Sequence, residues 1–317
     1  MQGRVEFDPE LRAALAVVGG VFPPTITPDL ITFMRSSYAS GPREELLRGR
    51  RVEVEDLTFA GFGGHTLAAS VIRPSAGPGA GAVLLFHSGG MMFGDRFSGA
   101  DTALGWVEHV GVTVVTVEYR LAPEYPHPVP FEDCYAALEW IAEAGPEIGV
   151  DPRRLVLAGG SAGGGLAAAV ALAARDRGGP RLRGQLLDYP MLDDRGATAS
   201  TRAFDGVGVW DRVSNETGWR SLLGGDVGGP DVPPYAAPAR ATDLRGLPPA
   251  FIDVGSAEIF RDEAVEYARK LWAAGVDAEL HVWPGAFHAC DIFAPHTRIA
   301  RSMIAVREDW LRRALAD

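Results

Sequence analysis

LVLAGGSAGGGLAAAV, residues 155–170, sets one serine, Ser161, among five glycines. The apolar run ahead of it, residues 155–158, reads as a short strand. The small-residue run behind it reads as a helix. Glycine loses more backbone entropy on folding than any other residue, so this density asks for a steric reason. Gly159-Gly160-Ser161-Ala162-Gly163 satisfies G-x-S-x-G between a strand and a helix, the setting in which the pattern marks a nucleophile on a sharp turn. Side chains two before and two after such a serine would collide, and Gly159 and Gly163 hold those places. Gly164 and Gly165 then let the helix approach the sheet closely, and the helix N-terminus aims free N–H groups at the hydroxyl. A phosphate cradle is the competing reading. No lysine completes G-x-x-x-x-G-K-[ST], and no acidic residue stands where a ribose partner belongs.

Outward from this stretch, strands and helices alternate. Residues 52–59 and 66–73 read as a hairpin across Gly61, Gly63 and Gly64. Apolar or β-branched strands are predicted at 83–86 and 112–117, at a segment ending in 186–189, at 251–254 and at 280–283. Helical spacing marks 131–144, 262–274 and 297–316. Continuous apolar strands separated by helices predict an α/β protein with a mostly parallel sheet covered on both faces. Residues 1–50 carry apolar spots between prolines and read as one or two short helices packed on the rest, a cap segment. Residues 51–317 form the main domain, interrupted at about 193–234 by an irregular or helical insert.

The bulk properties narrow the partners. The 317 residues carry 30 basic and 41 acidic side chains, a net charge of −11. With no Lys/Arg run, this argues against nucleic acid or anionic membrane as a partner. The two cysteines, Cys134 and Cys290, have no metal-type spacing and suggest a reducing compartment. With no leader pattern and no apolar run of spanning length, a soluble cytoplasmic protein is expected. No metal or organic cofactor is called for.

A second constellation follows the strand at 83–86: HSGGMMFGDR, His87 to Arg96. The N–H groups of Gly89, Gly90 and Ala162 would give a developing oxyanion three donors. His87 belongs to the turn and reads as a structural hydrogen-bonder rather than a base. A serine needs a base, and the base needs a carboxylate to orient it. Of seven histidines, His288 alone sits in a loop just beyond a late strand, downstream of the serine. For the acid, Asp253, Glu258, Asp262 and Glu263 compete. Glu258 falls in the loop beyond a strand end, where ligands bind in open α/β sheets, and Asp262 is the next choice. Met91, Met92, Phe93, Trp210 and Trp219 are candidate pocket walls. In YRLAPEYPHP, Arg120 and Glu124 are expected to pair and brace the oxyanion loop.

HSGG at His87–Gly90, YRLAPE at Tyr119–Glu124, GGSAGG at Gly159–Gly164 and the segment from Pro248 to Gly275 resemble, in this order, the hormone-sensitive-lipase-like (family IV) esterases of the α/β-hydrolase superfamily. The resemblance covers roughly residues 50–316. It implies an eight-stranded sheet with an N-terminal cap and a triad of Ser161, Glu258 and His288. It also implies an oxyanion hole of Gly89, Gly90 and Ala162. Three positions depart from the family pattern: HSGG for HGGG, Gly160 for the usual aspartate, and glutamate for aspartate at 258. The implied activity is hydrolysis of short- to medium-chain acyl esters through an acyl-enzyme on Ser161. An amidase, peptidase or lactonase with the same triad is the alternative within chemistry. A non-catalytic small-molecule receptor is the alternative outside it. A homodimer is common among similar proteins.

Overall fold

Residues 4–20, 22–77 and 79–316 are described by the structure, a computed structural model. Residues 1–3 and 317, at the outer ends of the two expected segments, lie outside the described residues. Eight strands form one sheet: β1 (Val52–Ala60), β2 (Thr66–Pro74), β3 (Ala82–Phe86), β4 (Thr113–Val117), β5 (Leu155–Gly160), β6 (Gly184–Asp188), β7 (Ala250–Gly255) and β8 (Ala278–Trp283). Their order is β1-β2-β4-β3-β5-β6-β7-β8. β1 and β2 pair antiparallel, as do β2 and β4; every other pairing is parallel.

Helices follow in the order α1 (Pro9–Val18), α2 (Ile31–Ser37), α3 (Arg43–Leu46), α4 (Ala100–Gly105), α5 (Val129–Ala144), α6 (Ala162–Asp176), α7 (Ala199–Ala203), α8 (Arg212–Leu223), α9 (Arg261–Ala273), α10 (Cys290–Phe293) and α11 (Arg298–Ala314). The central strands are mostly apolar because both their faces are covered. Alternate side chains point to opposite faces. Leu155 and Leu157 join the core that includes α5, α6 and α9, whereas Val156 and Ala158 join the core under α4 and α11. Leu155, Val156 and Leu157 are all fully buried, and each such side chain stabilises the fold by about 1.5–3 kcal/mol.

Among the described residues the first fifty hold three short α-helices, α1 to α3. Asp8 caps α1 by accepting from the Glu10 N–H at 2.9 Å, and the Asp8 N–H donates to Gly285 O at 3.0 Å. The same stretch meets the insert. Thr25 Oγ1 donates to Asp211 at 2.6 Å, and the Ile26 N–H donates to Ser214 Oγ at 2.8 Å. Asp211 also caps α8. The two segments therefore share one buried polar junction above the carboxyl ends of the strands. Among the described residues no helix is long and apolar enough to cross a membrane.

Candidate active site

Ser161 stands between β5 and α6 at φ 55°, ψ −120°, a backbone state that costs a non-glycine residue about 1–3 kcal/mol. The surrounding main chain holds it there. Its N–H donates to Asp188 O at 2.9 Å, and its carbonyl accepts from Gly165 at 3.0 Å and Met191 at 2.9 Å. The flanking glycines are sterically required. A Cβ on Gly163 would lie 2.0 Å from Phe86 O, and one on Gly159 would lie 2.3 Å from the Gly163 carbonyl.

His288 lies in the loop between β8 and α10. Its Nε2 is 3.0 Å from Ser161 Oγ, and its Nδ1 is 2.5 Å from Glu258 Oε2. The other Glu258 oxygen accepts from the Gly255 N–H at 2.9 Å, at the end of β7. Ser161, Glu258 and His288 are all buried. The imidazole is clamped edge-on by Tyr189 at 4.9 Å and Phe260 at 5.1 Å. Burial pushes the Glu258 carboxyl above its usual range, opposed by His288 and the Gly255 N–H.

The other contending carboxylates are engaged elsewhere. Asp253 is gripped by Arg307 at 2.9 Å and accepts from the Trp283 indole at 3.0 Å. Asp262 accepts from the Ser200 N–H at 2.7 Å. Glu263 accepts from Leu192 at 2.7 Å and Asp193 at 3.3 Å. Among the described residues Glu258 is the carboxylate that hydrogen-bonds His288.

Gly89 and Gly90 follow β3 with φ of 117° and 60°. Their N–H groups, and that of Ala162 at the start of α6, have no acceptor among the described residues. His87 turns away from this chemistry. Its Nδ1 is 2.7 Å from Ser88 O, its ring stacks on Tyr119 at 4.1 Å, and the Tyr119 hydroxyl donates to His87 O at 2.8 Å. Burial lowers its pKa, which suits a neutral structural ring.

The cleft above Ser161 is walled by Phe22, Tyr38, Phe93, Val209, Trp210 and Phe293. Phe93 and Trp210 were expected there. Met91, Met92 and Trp219 are not among the walls; all three are buried in the core. Met91 turns at φ 65° and its carbonyl accepts from Ala122, Met92 Sδ accepts from Ser221, and Trp219 is on the buried side of α8. Phe22 and Tyr38, from the proline-interrupted N-terminal stretch, and Val209 and Phe293 carried no periodic signal in the sequence.

The expected Arg120–Glu124 pair does not form. Arg120 instead makes a two-pronged bond to buried Asp133, at 2.8 and 2.7 Å. Glu124 binds Arg35 of α2 at 2.6 Å. Arg35 also donates to the Met92 and Ala122 carbonyls at 2.9 and 3.0 Å, so bracing of the oxyanion loop comes from the N-terminal segment. The two residues sit four apart in an irregular stretch, where that spacing does not place side chains together.

Residues 83–292 match the profile of a family with the alpha/beta hydrolase fold. Over 284 residues, 86% of this chain and 74% of the relative, the sequence is 34% identical to carboxylic ester hydrolase LipN of Mycobacterium tuberculosis. The chain is an α/β hydrolase of the hormone-sensitive-lipase-like esterase family. This hydrolase is also 40% identical to Esterase LipI of Mycobacterium tuberculosis over 200 residues, 63% of this chain and 62% of LipI. The match thus spans somewhat less than two thirds of that relative's length. Among solved structures the hydrolase is similar to a bacterial heroin esterase, with a TM-score of 0.89 and 35% identity over 98% of both chains.

Proposed function

We propose that this hydrolase is a serine carboxylesterase acting on short- to medium-chain acyl esters. The observation that carries the reading is the buried relay from Ser161 Oγ through His288 to Glu258, spanned by contacts of 3.0 and 2.5 Å. His288 Nε2 takes the Ser161 proton as Oγ attacks the ester carbonyl carbon. Glu258 holds the imidazole by its Nδ1–H and stabilises the imidazolium. The N–H groups of Gly89, Gly90 and Ala162 receive the oxyanion, each such donor being worth about 2.7–4 kcal/mol. The imidazolium then protonates the departing alcohol. Water, deprotonated by the freed His288, attacks the acyl-enzyme and releases the acid and Ser161.

Names among the relatives support an ester substrate, including an ethyl acetate hydrolase from Pseudomonas putida. A cytoplasmic location belongs to the same proposal and draws on two buried, unpaired cysteines. A homodimer does too, and light scattering of the purified chain tests it. Ser161→Ala tests the chemistry. Turnover of p-nitrophenyl acetate and butyrate should fall by at least about 10⁴-fold, with thermal unfolding preserved. Turnover at the wild-type rate would overturn the assignment.

A further inference from the structure

We propose that Tyr38, latched to Ser88, is the wall that ends the acyl side of the catalytic cleft and confines it to short acyl groups. The proposal rests on the esterase reading above and names the substrate class within it.

Free space beside Ser161 amounts to about 30 Å³, room for one or two water-sized groups. A second cavity of about 430 Å³ lies on the far side of Tyr38, well above the size at which an apolar cavity accepts benzene. Tyr38 is the residue common to the linings of the two spaces. The larger cavity opens to solvent near exposed Asp101 and His109. It runs inward past Phe97, Trp106, Ile292 and Ile304. Most of its surface is apolar, and its buried carboxylate, Asp291, is held at 2.5 Å by Arg307, an arginine that also binds Asp188 and Asp253. An alkyl chain would meet a tolerable wall there, but in this structure the phenol ring stands between it and the serine.

The ring is held rather than loosely placed. The Tyr38 hydroxyl is 2.9 Å from Ser88 Oγ, and its ring packs edge-on against Phe93 at 5.3 Å and Phe22 at 6.1 Å. Ser88 is the position at which this chain departs from the family's HGGG, and a glycine there would offer no hydroxyl to the latch. The hydrogen bond therefore ties the N-terminal segment to the loop bearing Gly89 and Gly90.

The test is the ratio of kcat/KM for p-nitrophenyl octanoate to that for the acetate. Wild type should favour the acetate. Tyr38→Ala joins the two spaces, and each methylene then buried is worth about fourfold. The octanoate-to-acetate ratio should rise at least tenfold. Ile304→Trp fills the far cavity from α11; alone it should leave acetate turnover at the wild-type level, and combined with Y38A it should cancel the gain. If Y38A fails to fold, Tyr38→Leu makes a similar cut while keeping apolar packing against Phe22 and Phe93. An unchanged ratio in the truncated variant, with acetate turnover retained, would overturn the wall alone, as would a gain that survives I304W. A wild type inactive on every ester would overturn the esterase reading and this inference with it.

Discussion

The floor and the walls of the cleft are built by different means. The floor hangs from strand ends: Ser161 after β5, Gly89 and Gly90 after β3, Glu258 after β7 and His288 after β8. Main-chain hydrogen bonds and backbone contacts too close for a Cβ hold much of it. Most of the walls come from segments without regular pairing, the N-terminal stretch and the insert, joined by Phe93 from the loop after β3 and Phe293 from α10, and they are held by aromatic packing and a few side-chain bonds. A floor fixed by backbone geometry suits chemistry that tolerates little displacement. Walls fixed by side chains can be recut without unmaking the fold. Changes to the floor should therefore cost turnover or folding, and changes to the walls should alter binding and selectivity.

After Ser161 itself, the largest effect is expected at Glu258. Glu258→Gln keeps the shape but removes the charge that orients His288, and kcat should fall about 10³- to 10⁴-fold. Near-normal kcat would remove Glu258 from the relay. Next comes the buried bond that ties the segment after β4 to α5. Asp133 is fully buried and Arg120 nearly so. Arg120→Met strands that carboxylate and should destabilise the protein by about 3–5 kcal/mol in urea unfolding. A loss below about 1 kcal/mol would show that the fold does not depend on it.

A smaller effect follows from pH. Folding raises the Glu258 pKa through burial. The folded state thus holds that proton more tightly than the unfolded chain. The stability this provides is fully present below the ordinary carboxyl value and is lost as pH rises through the raised one. E258Q lacks this loss, so its unfolding free energy should gain on wild type between acid and neutral pH. A constant difference would contradict the raised pKa. The smallest effect belongs to the walls. Trp210 stands against Gly90 at the cleft, and Trp210→Phe should raise KM about three- to tenfold with kcat within about twofold. A loss confined to kcat would place Trp210 with the floor.

The same division decides what could be read from the sequence. The central strands were legible nearly to the residue because a parallel sheet buried on both faces forces mostly apolar runs. Ser161, Gly159 and Gly163 stood out because a strained turn against β3 leaves no other residue type. Glu258 and His288 could be picked out because loops at strand ends are where such sheets place ligand groups. The walls were not legible. Tyr38 and Phe22 lie between prolines with no period to follow, and Met91, Met92 and Trp219 have the composition of a pocket wall but the burial of a core. Ion pairs were hidden for a related reason: Arg120 finds Asp133 on α5, and Glu124 finds Arg35 on α2, partners that only the assembled fold brings near.

The central claim is that His288, held by Glu258, activates Ser161. It is tested most directly by labelling with a fluorophosphonate followed by peptide mass mapping. One adduct is expected, on Ser161, that forms rapidly in wild type, slows by orders of magnitude in His288→Ala and is absent in S161A. An adduct on another residue, or labelling of Ser161 at an undiminished rate without His288, would contradict it.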